Sequence, residues 1–315
     1  MDFVNPKQMQ QISKERMELT MMNKETFVNE VLKLVTNELG CGYNIDVRKV
    51  LKNNNMTLTG LIIGKRNNAI GITIYLEDYY NDYMHGRSMQ SIVEHILRSY
   101  ANAAMSEAVN LQFTQSKDEM LKRVAYRIVN KDMNKDLLSQ CPYTHVAGDL
   151  VKLYFLHVEC GDGGFGSTTI TYSLMERYGL SVEEIEYHAN INTPEFFPVS
   201  FCSMGAVLGE LLDDYEEETN ELGMWILTNN QKTYGASAML YDGILNKISS
   251  RLRSDLYIIP SSLHELIILR ATNDYDKKAL GMMIHEVNRT QVSQEELLSD
   301  TLYYFTQTTN KISVA

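Results

Sequence analysis

Two asparagine-bearing breaks, Asn53-Asn54-Asn55 and Arg66-Asn67-Asn68, divide the stretch from Tyr43 to Leu76 into three β-prone runs. Asparagine tolerates the left-handed backbone that tight turns demand. The first run, Tyr43 to Leu51, alternates apolar and polar residues at Tyr43, Ile45 and Val47, and Met56 to Lys65 and Ala69 to Leu76 follow it. Runs of this length separated by such short turns predict a three-stranded antiparallel meander. Ahead of it, Phe27, Val28, Val31, Leu32, Leu34 and Val35 fall near one face of a helix over Lys24 to Leu39, stopped by Gly40 and Gly42.

After the meander, EDYYNDYMHG at Glu77 to Gly86 predicts a short helix whose tyrosine rings pack over the sheet, and a second helix runs from Ser88 towards Ala104. Further helices are expected at Lys117 to Ala125 and Asp132 to Gln140, with a short strand at Tyr126 to Val129. Pro142 marks an expected boundary. Beyond it, the apolar run Leu150 to Glu159 predicts a strand, with Ser167 to Thr171 as its hairpin partner. Helices are expected at Ser173 to Tyr178 and at Ser181 to Ala189, the latter N-capped by Ser181 with Glu183 and Glu184 in its first turn. A loop bracketed by Pro194 and Pro198 then leads to a helix from Ser203 to Leu212. Strands are expected at Met224 to Leu227, Ala236 to Leu240, Tyr257 to Pro260, Glu265 to Leu269 and Leu302 to Phe305, with helices at Gly243 to Leu252 and Asp276 to Val287.

Strands and helices are partly segregated, which favours an α+β fold over a doubly wound one. The expected architecture is an N-terminal helix plus three-stranded antiparallel meander with helices, then a C-terminal mixed α/β lobe with hairpins and strand-helix-strand units. The corresponding divisions are a tail over 1–21, an N-terminal lobe over 22–141, and a C-terminal lobe over 142–315 that contains an acidic segment, 178–231.

That segment emerges from the charge. The chain's 29 Lys+Arg and 40 Asp+Glu give a formal net charge of −11, which argues against direct nucleic-acid binding. No Lys or Arg lies between Tyr178 and Gln231, where Glu183, Glu184, Glu186, Glu195, Glu210, Asp213, Asp214, Glu216, Glu217, Glu218 and Glu221 all fall. The remainder of the chain is formally neutral. The run ELLDDYEEETNE at Glu210 to Glu221 reads either as a solvated helix end or as a docking surface for a basic partner. Asp213, Asp214 and Glu217 lack the alternating ligands and central glycine of a calcium loop. No apolar run reaches the ~18 residues of a membrane span. The isolated Cys41, Cys141, Cys160 and Cys202 suit a reduced, cytoplasmic setting.

Candidate chemistry is sparse. GDGGFG at Gly161 to Gly166 matches G-x-G-x-x-G, but the β-branched run that follows favours a strand over the helix N-terminus a pyrophosphate needs. It reads as a hairpin loop, and no cofactor is expected. PSSLHE at Pro260 to Glu265 brings Ser261, Ser262, His264 and Glu265 together as weak hydrolase candidates. Triads usually assemble from distant segments, and a turn with local backbone bonds is the simpler reading. The HE pairs His264-Glu265 and His285-Glu286 lack the second histidine of HExxH, so no metal site is expected.

Five segments resemble a known family. They are Met56 to Leu76 followed by EDYYNDY, Gly148-Asp149-Leu150 opening a long apolar strand, TYSLMERYGLSVEEI at Thr171 to Ile185, WILTNNQKTYGASAMLY at Trp225 to Tyr241, and LYIIPSSLHELIIL at Leu256 to Leu269. Together they resemble the bacterial domain of unknown function 5688 family over roughly residues 22–306. From Gly148 onward there is a more distant similarity to the domain of unknown function 1444 family. The resemblance implies a bacterial, cytosolic α+β protein and supplies no activity or functional residues.

The expectation is non-catalytic binding of a basic protein partner, with no membrane role, through Asp213, Asp214, Glu216, Glu217, Glu218 and Glu221, and with Glu77 to Tyr83 as a second acidic-aromatic segment. Two alternatives stand beside it. One is an anti-defence inhibitor that mimics nucleic acid against a bacterial nucleic-acid-handling effector. The other is a hydrolase using the Ser261/Ser262/His264/Glu265 turn.

Overall fold

A computed structural model describes residues 21–66, 71–105, 116–159, 165–206, 223–260, 262–272 and 275–315. The chain divides into two compact units. The first is drawn from Met1–Leu51 and Thr57–Val109, the second from Lys52–Met56, Asn110–Glu159 and Phe165–Ala315.

In the first unit, helix α1 (Lys24–Leu39) starts at Asn23, whose side chain accepts from the Thr26 amide at 2.9 Å, and stops at Gly40, where φ is 71°. Strands β1 (Tyr43–Leu51), β2 (Thr57–Lys65) and β3 (Ile72–Tyr75) form the expected antiparallel meander. The connection from β1 to β2, Lys52–Met56, is assigned to the second unit and uses asparagine as anticipated, with φ of 55° at Asn54 and 54° at Asn55. Helices α2 (Glu77–Met84) and α3 (Met89–Met105) complete the unit. The core is made by Phe27, Val31 and Val35 of α1, Leu61 and Ile63 of β2, Leu76, and Ile92 and Ile96 of α3. The tyrosines of α2 turn inward, the Tyr80 and Tyr83 rings lying 5.2 and 5.4 Å from Phe27.

At the head of α2, Glu77 pairs with Lys24 at 2.9 Å and accepts from the Thr59 amide at 2.8 Å. Burial pushes the Glu77 carboxyl up, but the Lys24 and Thr59 hydrogen bonds outweigh it and hold the carboxyl below its ordinary value. A lowered folded pKa contributes stability that is present above the unfolded value and lost as pH falls through the folded one. The Glu77→Gln variant is therefore expected to be less stable by about 1 kcal/mol near neutrality, with the gap to the wild type narrowing as pH falls below the ordinary glutamate range. Urea midpoints across that range measure it, and parallel wild-type and variant curves would contradict it.

The second unit opens with the short helix α4 (Lys117–Leu121), then β4 (Val124–Asn130), the short helix α5 (Lys135–Leu138), β5 (Tyr143–Ala147), β6 (Leu150–Glu159) and β7 (Phe165–Thr169). Strand β6 pairs with β4 on one side and with β5 and β7 on the other, all antiparallel. The expected boundary at Pro142 thus falls inside one sheet: β4 lies before it, β5 and β6 after it, and the ladder from Val124↔Leu156 to Asn130↔Leu150 joins them. Along β6, Leu150, Val151, Leu153, Tyr154, Phe155 and Leu156 are all buried. A strand covered on both faces accounts for an apolar run interrupted only by Lys152.

Helices α6 (Tyr172–Tyr178) and α7 (Val182–Phe196) follow. Ser181 caps α7, and Glu184 returns the bond to the Ser181 amide, completing a capping box. The expected Pro194–Pro198 loop is not formed. Helix α7 runs through Pro194 to Phe196, and the Phe197 amide closes its end on the Thr193 carbonyl. Side-chain hydroxyls also close the outer edge of β4: the amides of Tyr126 and Ile128 donate to Thr193 Oγ1 (3.0 Å) and Ser237 Oγ (3.2 Å). Alternate amides of an edge strand point away from its partner, so both bonds fall on the open side.

Strands β8 (Val199–Ser203), β9 (Met224–Asn229), β10 (Leu256–Ile259), β11 (Leu266–Arg270), β12 (Tyr303–Thr306) and β13 (Lys311–Val314) form a second sheet. Its order is β13-β12-β10-β11-β9-β8, and every pairing is antiparallel. Helix α8 (Ile244–Leu252) precedes β10. Helix α9 (Lys277–Gln291) sets Leu280 and Ile284 against Tyr257, Ile259 and Leu269. The expected strand Ala236–Leu240 is instead a 3-10 helix over Gly235–Leu240. A short apolar run buried on all sides carries no period to separate the two states. The expected helix Ser203–Leu212 is described only as a helical turn at Met204–Ala206, and its remainder lies outside the described residues.

Candidate functional site

The Pro260–Glu265 connection between β10 and β11 is held by backbone. Ser262 Oγ accepts from the His264 amide at 3.1 Å, and the His264 carbonyl accepts from Thr228 Oγ1 at 2.7 Å. The Tyr234 amide donates to His264 Nδ1 at 3.3 Å, which assigns the ring proton to Nε2, 3.7 Å from Glu296 Oε1. Glu265 is exposed, and Ser261 lies outside the described residues. Nucleophile–base chemistry needs a hydroxyl bonded to the imidazole. Here the Ser262 hydroxyl and the imidazole each engage a backbone amide instead.

His264 leads to a second constellation. Its ring stacks on Tyr234, with centroids 6.2 Å apart and planes 13° apart. Tyr234 has φ of 54°, a left-handed conformation uncommon outside glycine and asparagine. Tyr234 also meets Arg127 of β4, whose guanidinium carbon is 5.1 Å from the Tyr234 centroid and 5.8 Å from that of Phe155. Beyond Phe155, the buried His157 ring lies nearly parallel to Phe196 (4.4 Å) and Phe165 (4.9 Å) and edge-on to Phe197 (5.3 Å). Phe165, which closes the GDGGFG motif but for its last glycine, therefore serves as an aromatic wall on β7. Burial pushes the nearby Cys141 thiol up, with Arg127 opposing it, which keeps that cysteine protonated and unreactive at neutral pH.

Sequence reasoning misses Arg127, Tyr234 and His157. The signal for the first is present: VAYRIVN sets one charge amid six residues that the fold buries. Tyr234 and His157 carry no pattern, since their partners come from β4, β6, β7 and the turn after α7.

Asp213, Asp214, Glu216, Glu217, Glu218 and Glu221 lie outside the described residues. Of the acids flanking them, Glu184 pairs with Lys117 at 2.7 Å and Glu186 with Lys152 at 3.2 Å. Glu183 and Glu195 are exposed on α7 and form no ion pair among the described residues. Between them on the helix surface stand Tyr187 and Ile191, 64% and 46% exposed. In the Glu77–Tyr83 segment, Glu77 and Asp82 are paired with Lys24 and Arg87. No cluster of three or more His, Cys, Asp or Glu among the described residues is placed to hold a metal, and no described helix is long and apolar enough to cross a membrane.

The fold and these sites define an α+β protein built of two antiparallel-sheet units. The chain belongs to the family of unknown function DUF5688, which it matches over residues 24–307. No curated protein and no solved structure matches it.

Proposed function

We propose that the protein acts by non-catalytic binding of a basic protein partner, in the cytoplasm, through Asp213, Asp214, Glu216, Glu217, Glu218 and Glu221. One observation carries the reading: residues 179–230 contain no Lys or Arg, while acids crowd the run from Glu210 to Glu221. Charge of one sign over such a stretch raises the association rate of an opposite partner and disfavours like-charged ones. The exposed Glu183, Tyr187, Ile191 and Glu195 on α7 belong to the same base-free stretch of sequence, where two apolar side chains stand between two acids on one helix.

Affinity capture from a bacterial lysate tests this, comparing the wild type with a variant carrying Asp/Glu→Ser changes at Asp213, Asp214, Glu216, Glu217 and Glu218. The expected result is a captured protein of basic composition whose retention falls at least about tenfold in the variant and weakens with added salt. Equal capture by both proteins would overturn the reading. Competition by DNA at matched ionic strength identifies the anti-defence version, in which the partner's basic surface is a nucleic-acid channel.

A further inference from the structure

Arg127 is a half-buried cation that the described residues leave without a carboxylate. Its two hydrogen bonds, from Nη1 to Tyr234 Oη (3.3 Å) and from Nη2 to Thr169 Oγ1 (3.4 Å), are both longer than the usual ~2.7–3.2 Å. Lys152 on the neighbouring strand β6 shows the contrast: it is held by Glu186 at 3.2 Å and Asn190 at 2.9 Å. A guanidinium carries about five N–H donors, so most of this one's capacity is unused by the described residues. Thr169 and Tyr234 add to the surplus. Each hydroxyl accepts from Arg127, and neither hydrogen has an acceptor among the described residues. The rings of Tyr234 and Phe155 meanwhile lie within cation–π range of the guanidinium and restrain it.

Arg127 and Thr169 on one sheet face and Tyr234 from the turn after β9 thus converge with donors to spare and one positive charge. The ligand that fits accepts hydrogen bonds and carries negative charge. We propose that the protein binds an oxyanion, a carboxylate or a phosphate, at Arg127, Thr169 and Tyr234. A guanidinium fork matches either group in a bidentate manner. Because the ring contacts and its two hydrogen bonds restrain Arg127 before the ligand arrives, binding forfeits little side-chain entropy. The site is independent of the acidic segment and calls for a ligand of the opposite charge to that segment's partner.

Thermal unfolding of the full chain is measured against sodium phosphate and, separately, sodium acetate, with ionic strength held constant by sodium chloride. Phosphate raises stability without binding because protein surfaces exclude it, and that effect grows without saturating. The site-specific part is a saturating rise in the midpoint. It is expected in the wild type and in Arg289→Gln, which removes an exposed cation, and with at least tenfold weaker apparent affinity in Arg127→Gln. The double variant Thr169→Val/Tyr234→Phe keeps the guanidinium, should lose affinity severalfold, and decides the matter if Arg127→Gln does not fold. Saturation by one anion and not the other identifies the ligand's chemistry. No saturating rise with either anion, or the same saturating curve in the wild type and the altered site, would overturn the proposal.

Discussion

Replacing Gly235 with alanine is expected to lower the unfolding free energy by about 3 kcal/mol or more. The new Cβ would overlap Thr228 Oγ1 and the His264 carbonyl oxygen and would reach 3.0 Å from the Asn229 amide nitrogen. Two of these are backbone atoms of packed segments, and the Thr228 hydroxyl is fixed by its 2.7 Å bond to the same carbonyl. Nothing at the site can yield without moving β9 or the Ser262–Glu265 turn. The 3-10 helix that starts at Gly235 also carries Ser237, the cap on the edge of β4, so its displacement propagates to the other sheet. Gly281→Ala gives the opposite sign. Gly281 sits inside α9 with nothing within 4 Å of where an alanine methyl group would stand, so alanine should stabilise by about 0.5–1 kcal/mol through helix propensity alone. Urea denaturation of both variants measures the pair. A Gly235→Ala protein as stable as the wild type would show that the contact between the 3-10 helix and the turn is loose.

The contrast between these glycines shows what the sequence can and cannot announce. Local devices are legible: the asparagine turn after β1, the Ser181 cap, and the alternation of Tyr43, Ile45 and Val47 each depend on a few neighbouring residues. Elements governed by distant packing are not. GASAML takes its 3-10 shape from the close approach of His264 to Gly235, and nothing in its own six residues encodes that approach. Strand β13 escapes a sequence reading because KISV is short and largely exposed, and only pairing with β12 from Tyr303↔Val314 to Thr306↔Lys311 makes it a strand. Asparagine reads in the sequence as a surface turn former, yet Asn53, Asn54, Asn130, Asn134 and Asn288 are buried. Within the second unit, Asn54 donates to the carbonyls of Gln294 and Leu297. An amide can satisfy buried donors and acceptors at once, which is why a chain short of buried charge uses it in such places. The candidate site follows the same rule. Proximity in sequence groups Ser262, His264 and Glu265, while three-dimensional proximity groups Arg127, Thr169 and Tyr234 from β4, β7 and a turn.

The second large effect is expected at Asp149. Strands β5 and β6 are joined by the two residues Gly148 and Asp149, and φ of 51° at Gly148 is the left-handed geometry such a tight hairpin requires. The turn aims the Asp149 carboxylate at three neutral donors: Asn130 Nδ2 at 2.6 Å, Ser299 Oγ at 2.8 and 3.0 Å, and the Tyr303 hydroxyl. Asn130, Ser299 and Tyr303 are each at most 1% exposed, so water cannot replace a lost partner without entering the core. Asp149→Ala is therefore expected to cost about 3–5 kcal/mol, because three buried donors lose their charged acceptor together and only Asn130 and Tyr303 keep a second one, the carbonyls of Leu298 and Ala147. Asp149→Asn keeps one acceptor oxygen and should cost about half as much. Burial first, and then the Asp149 carboxylate, push the ionisation of Tyr303 above its ordinary value. A raised folded pKa gives stability that is fully present below about pH 10 and lost as pH rises through the folded value. Tyr303→Phe should accordingly flatten the alkaline limb of the pH–stability curve while leaving its acid limb in place. Urea unfolding with an unchanged slope would assign these losses to the native state. An Asp149→Ala protein within about 1 kcal/mol of the wild type would mean that the carboxylate does not hold the β5–β6 turn to β12.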